Sequence, residues 1–183
     1  MRFLYFAYGS NMLTARLMAR CPSANVIGQA NAYDHALEFT KLSRDQSGKA
    51  TIISTAGQGL LTHGVLFEIA KSDLPRLDRA EGVGYGYDRY DDFKFRLAAN
   101  DEHVTATVYL ASKTVPHLKP YDWYLALVIA GAHEHGLGAG YAERLRQIEH
   151  LVDGNLARES RADALATLAA HGIDDYYALL NHP

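Results

Sequence analysis

Phe3-Leu4-Tyr5-Phe6-Ala7-Tyr8-Gly9-Ser10-Asn11 opens the chain with a hydrophobic run, a glycine and a polar pair. The apolar and aromatic run from Phe3 to Tyr8 has no polar alternation, which predicts a strand covered on both faces. Gly9 then allows backbone dihedrals that a Cβ would resist, and Ser10 or Asn11 has the side chain to cap a helix running through Met12-Leu13-Thr14-Ala15-Arg16-Leu17-Met18. A strand that turns through glycine into a helix N-terminus aims several backbone N–H groups at one spot, where they can hold a carboxylate or phosphate. The same nine residues also read as an ordinary core strand ahead of a capped helix. A functional reading therefore needs a catalytic group from elsewhere in the chain.

Around this opening, 183 residues with 48% hydrophobic and 21% charged side chains describe a soluble globule with a real core. The net charge of −3, without a basic run, argues against nucleic acid as a partner. No apolar stretch is long enough to cross a bilayer and no secretion signal opens the chain; with a single cysteine, Cys21, these features predict a cytoplasmic protein without a disulfide. The first half is β-rich. Val26 to Thr40, Thr51 to Thr55, His63 to Ile69, Asp92 to Leu97 and Val104 to Leu110 read as short strands with glycine-rich or polar turns between them, as in an antiparallel sheet or small barrel. Beyond Pro116 the period changes to 3.6: Tyr124, Leu127, Val128 and Gly131 mark one helix ended by Gly136, and Tyr141, Leu145, Ile148 and Val152 mark another. We read a single α+β domain over residues 1–152, with 153–183 as a helical C-terminal extension packed on it.

The strands and helices are joined by a segment that contains an unusual glutamate. Ser72 reads as the N-cap of a helix whose apolar face carries Leu74 and Leu77, and Glu81 lies on that same inward face, four residues beyond Leu77. Burial and the negative helix end both disfavour its ionised form, the setting in which a glutamate serves as general acid or base; pairing with Arg79 or Arg89 is the competing reading. Gly82-Val83-Gly84-Tyr85-Gly86-Tyr87-Asp88-Arg89-Tyr90 follows. It is either a flexible wall that lays tyrosines against a ligand or a glycine-punctuated hairpin whose tyrosines pack on neighbours.

Other constellations fail on spacing. His133 and His135 are two apart and so point to opposite sides of a helix, whereas the metalloprotease pattern needs four. Cys21 has no local base and reads as a small buried thiol. Ser10 lacks the glycine pair of a hydrolase elbow, and the glycines at 82–86 and 136–140 lack nucleotide-loop spacing.

Three segments together resemble the γ-glutamylcyclotransferase family: Tyr5-Phe6-Ala7-Tyr8-Gly9-Ser10-Asn11-Met12, Leu77-Asp78-Arg79-Ala80-Glu81-Gly82-Val83, and the Tyr109-Leu110 strand with Ile129-Ala130-Gly131-Ala132 and Gly136-Leu137. The resemblance covers residues 3 to 150 and implies a small mixed β-barrel with flanking helices. It implies an enzyme without cofactor or metal, set in glutathione metabolism, that cleaves a C–N bond of a small γ-glutamyl compound. In that reaction the substrate's α-amine attacks its own γ-carbonyl, releasing 5-oxoproline and an amine or amino acid. By position, Glu81 is the implied catalytic base, Tyr8, Gly9, Ser10 and Asn11 the loop that binds the glutamyl moiety, and Tyr109 and Tyr87 the pocket lining. A catalytically silent binding or regulatory module of the same fold is the alternative. The leaving group and the oligomeric state stay open.

Overall fold

The computed structural model describes residues 1–181. Five strands close a barrel in the order β1-β5-β2-β6-β7: β1 (Arg2–Ala7), β2 (Asn25–Tyr33), β5 (Leu61–Ala70), β6 (Tyr87–Leu97) and β7 (His103–Ala111). Four of the contacts are antiparallel and the closing one, Tyr5 against Thr107, is parallel, so the barrel is mixed. Closure removes the free edges that an open five-stranded sheet would expose. The remaining strands, β3 (His35–Leu42) and β4 (Gly48–Ser54), form a separate hairpin. The region from Val26 to Thr40 is thus two strands. Asp34 divides them at φ 55°, a backbone state that an aspartate tolerates better than most residues.

β1 sits where its composition puts it, with Phe6 and Ala7 at 0% and 1% exposure and Phe6 stacked on Phe95. The helix after it differs from the expectation. Residues Ser10–Met12 form a 3₁₀ turn, and α1 (Thr14–Arg20) begins after Leu13 with no side-chain cap. Thr14 N–H is instead accepted by Glu134 Oε2 at 2.9 Å, which frees Ser10 and Asn11 from capping. Likewise Ser72 lies inside a 3₁₀ turn ahead of α2 (Leu74–Glu81) and caps nothing; Asp73 precedes the helix and accepts the Ser23 hydroxyl at 2.6 Å.

Helix α3 (Asp122–Glu134) runs through the centre of the molecule, buried on every side from Asp122 to Ala132. Gly131 is needed there, because a Cβ would lie 2.6 Å from Leu13 N and 2.7 Å from Met12 Cβ. The absent side chain lets α3 press against the turn that carries Ser10 and Asn11. Helix α4 (Ala139–Arg146) stops before the predicted Val152, because the backbone of Leu151 is captured by Pro120 and Asp122 at 2.9 and 2.8 Å. Two helices follow, α5 (Glu159–Ala170) and α6 (Tyr177–Leu180), both against α3. Asp122 accepts the hydroxyls of Tyr176 and Tyr177 at 3.0 and 3.2 Å, while Asp153 joins Trp123 Nε1 to Arg158.

Candidate active site

A cavity of about 450 Å³ opens between the β1–α1 turn, the end of α2, the β3–β4 hairpin and α3. Its wall includes all seven residues singled out in the sequence: Tyr8, Gly9, Ser10, Asn11, Glu81, Tyr87 and Tyr109. They come from four separate segments, and barrel closure brings those segments together.

Asn11 is the link between loop and glutamate. The residue is only 4% exposed. Nδ2 donates to Glu81 Oε1 at 2.6 Å and to the Tyr5 hydroxyl at 3.0 Å, while Oδ1 accepts Arg20 NH1 at 2.7 Å. Arg20 NH1 also lies 3.4 Å from Glu81 Oε1. The partner of Glu81 is therefore Arg20, from α1, and neither Arg79 nor Arg89. Both contacts fall on Oε1. Arg89 instead holds Asp78 at 2.6 Å, and Asp78 accepts the Tyr109 hydroxyl at 2.7 Å.

The tyrosines divide into two kinds. Tyr8 donates its hydroxyl to the Tyr109 carbonyl, and Tyr87 donates to the Ala50 carbonyl at 2.7 Å, so with Tyr109 they present rings to the cavity while their hydroxyl protons serve the protein. Tyr5 accepts from Asn11 and makes no hydrogen bond as donor among the described residues. Burial raises the Tyr5, Tyr8 and Tyr87 phenols well above their ordinary range, with the Glu81 charge adding to the effect, so each stays protonated at neutral pH. The glycine-rich segment combines both of its readings. Gly82 takes a left-handed conformation that ends α2, Tyr85 is 90% exposed at the cavity rim, and β6 starts at Tyr87 with its ring turned in.

Cationic residues in the wall escaped the sequence reading. Arg16 and Arg20 fall four apart on α1, so one helix face carries both guanidinium groups toward the site. That spacing was the available signal. Arg16 donates to Ser10 Oγ at 3.2 Å and has no carboxylate partner among the described residues; burial, aided by Arg20, presses it to about 10, still charged at neutral pH. Lys49 is paired with Asp45 at 2.9 Å and sits 4.5 Å from the ring centres of both Trp123 and Tyr124. Burial lowers it to about 8. Gly9 completes the wall: a Cβ there would meet Ala50 Cβ at 3.0 Å.

The residues rejected on spacing have structural partners. Cys21 is buried and its thiol is pushed up to about 11 by burial and then by Asp73. His135 Nε2 lies 3.0 Å from the Met12 carbonyl, and Glu134 holds Thr14. Among the described residues no cluster of three or more His, Cys, Asp or Glu side chains is placed to hold a metal ion.

Human γ-glutamylcyclotransferase is 35% identical to this chain over 153 residues, covering 80% of this chain and 79% of the human protein. The chain belongs to the γ-glutamylcyclotransferase family. The mouse γ-glutamylcyclotransferase matches with the same identity and coverage. A solved γ-glutamyl cyclotransferase structure shares the fold at TM-score 0.80 and 32% identity, spanning 91% of this chain and 99% of its own. The AIG2-like family model matches residues 62–145, which include α2 and Glu81. Cyclotransferase activity is thus the general class of this enzyme. Among the described residues no helix is long and apolar enough to cross a membrane.

Proposed function

We propose that this cyclotransferase converts a γ-glutamyl compound into 5-oxoproline and a free amine or amino acid by intramolecular attack, with Glu81 as the proton carrier and no cofactor. The observation that carries the proposal is the Glu81 carboxylate on the cavity wall with Oε1 fixed by Asn11 and Arg20. Two contacts on one oxygen fix the carboxylate's direction, and Oε2 takes the proton. The anion at the other end is the substrate's α-carboxylate, received by the Tyr8 to Asn11 turn and the unpaired Arg16. Within that turn the Met12 N–H returns to the Gly9 carbonyl at 3.0 Å. The first N–H groups of such a turn have no partner inside it.

The reaction needs little beyond geometry and proton traffic. Glu81 takes a proton from the α-ammonium, and the freed amine attacks the γ-carbonyl carbon. The new C–N bond closes a five-membered ring, the old amide C–N bond breaks, and the proton on Glu81 passes to the departing nitrogen; Glu81 then takes the second proton from the ring nitrogen, which leaves as the neutral lactam, and the released amine departs as an ammonium ion. Holding nucleophile and carbonyl in one folded substrate supplies the rate advantage of an intramolecular reaction. Tyr5, whose hydroxyl proton is not used within the protein, donates to the carbonyl oxygen as charge builds there. The single buried thiol suits a cytoplasmic setting for this chemistry.

Replacing Glu81 by Gln keeps the side-chain shape and removes the proton carrier. The expected result is a loss of about 10²- to 10⁴-fold in 5-oxoproline release, the range of a general acid–base group. Undiminished turnover, or free glutamate as the product in place of 5-oxoproline, overturns the assignment.

A further inference from the structure

The reading above leaves the leaving group undefined, and the inference drawn here rests on that reading. Among the described residues six cations line the cavity: Arg16, Arg20, Lys41, Arg44, Lys49 and Arg79. Arg44 and Arg79 are exposed, where water satisfies them. Of the four part-buried ones, Arg20 is paired with Glu81 and Lys49 with Asp45. Arg16 and Lys41 have no carboxylate partner among the described residues. A desolvated charge without a counter-charge is costly, and a ligand that supplies the counter-charge removes that cost.

The two unpaired cations belong to different parts of the wall. Arg16 is tied to the glutamyl-binding turn through Ser10. Lys41, at the end of β3, lies along the glycine-rich segment, with Nζ 5.0 Å from the centre of the Tyr87 ring. A Cβ on Gly86 would come within 2.8 Å of Lys41 Cε and Nζ, so the bare glycine is what allows the lysine to lie there. Burial pulls the Lys41 ammonium below its ordinary range while the charges of Glu81 and Asp45, neither of them at ion-pair distance, oppose the shift. A γ-glutamyl amino acid has two carboxylates, one on each side of the scissile amide. An amine leaving group has none.

We propose that Lys41 is a specificity-determining residue of this reaction, binding the carboxylate on the leaving group of a γ-glutamyl amino acid or peptide. Arg16 takes the carboxylate on the glutamyl side, and Lys41 takes the one that departs with the released amino acid. Tyr87 orients the ammonium from below through its ring face, an arrangement that still leaves the three N–H donors for a ligand.

The test compares γ-glutamyl-alanine with γ-glutamyl-ethylamide, which differs only by loss of the leaving-group carboxylate. The readout is the ratio of their kcat/KM values in the wild type and in Lys41→Met. The wild-type ratio is expected to favour the alanine compound by about tenfold or more, the range of one charge-assisted hydrogen bond, and Lys41→Met is expected to collapse it. Lys41→Arg is expected to retain most of it. A ratio unchanged in Lys41→Met, or a wild type that turns over both compounds equally, overturns the inference. Calorimetric affinities for the same two compounds, measured on wild type and Lys41→Met, read the subsite without turnover. If neither compound yields 5-oxoproline, the proposed reaction fails, and the affinity ratio alone then decides whether Lys41 binds the carboxylate.

Discussion

Asn11→Leu tests the connection on which the site depends. The substitution keeps the number and branching of side-chain heavy atoms but removes three hydrogen bonds: to Glu81 Oε1 at 2.6 Å, to Tyr5 at 3.0 Å and from Arg20 at 2.7 Å. Two of these involve a charged partner, each contributing about 1.5–3 kcal/mol net, and the neutral one about 1 kcal/mol. The full sum would apply only if the abandoned groups stayed dry. They face a cavity of about 450 Å³, so water re-solvates part of what Asn11 releases. The expected loss of stability is therefore about 2–3 kcal/mol, or a fall in Tm of roughly 4–12 °C for a chain of this size.

Activity is expected to fall further than stability. A carboxylate held on one oxygen by Arg20 alone wanders, and a displacement near 1 Å from productive geometry costs about 10²-fold. If Asn11 acts by positioning Glu81, its removal has little left to damage once Glu81 is already Gln. The double variant Asn11→Leu/Glu81→Gln is then expected to release 5-oxoproline about as slowly as Glu81→Gln alone. Steady-state kinetics of wild type, both single variants and the double variant complete the cycle. Fully multiplicative losses would refute the positioning role, as would a folded Asn11→Leu protein with wild-type kcat/KM.

Two further perturbations address the scaffold. Gly131→Ala improves intrinsic helix propensity by about 1 kcal/mol but is expected to destabilise by about 1–3 kcal/mol net, because its Cβ would press on the backbone of Met12 and Leu13; thermal melts paired with KM check that the turn holding Ser10 and Asn11 moves with it, and a more stable variant with unchanged KM contradicts the packing argument. We also propose that residues 153–183 are an extension that the 1–152 domain needs for stability. A chain ended at Val152 loses the partners that Tyr176, Tyr177, Asp153 and Arg158 provide to Asp122 and Trp123, each a buried group worth about 1–3 kcal/mol when left unsatisfied, and is expected to melt at least about 10 °C lower; a truncated protein with native Tm separates the tail from the fold.

Some elements were legible because their physics is local. The run Phe3 to Tyr8 carries too little polarity for any environment except a core, and the 3.6 period places Glu81 beside Leu77 whatever the rest of the chain does. The caps depend on tertiary context. Ser10 and Ser72 have capping side chains, but capping propensity is worth only about 1 kcal/mol, and tertiary contacts such as Glu134 on Thr14 replaced it. Helix α4 ends before its hydrophobic spacing does, because that spacing continues through Ile148 and Val152 while the backbone of Leu151 finds better partners at Pro120 and Asp122.

By itself the sequence determined the buried first strand, the glycine turn with its polar pair, the inward glutamate and the family in which they occur together. Only the tertiary structure decided that Arg20 is the partner of Glu81, that Tyr87 turns in while Tyr85 stays out, and that Arg16 and Lys41 are part-buried cations of the wall with no carboxylate at ion-pair distance among the described residues. Periodicity fixes which way a side chain faces along its own element. Which charge meets which across the cavity depends on barrel closure, where segments far apart in sequence share one wall.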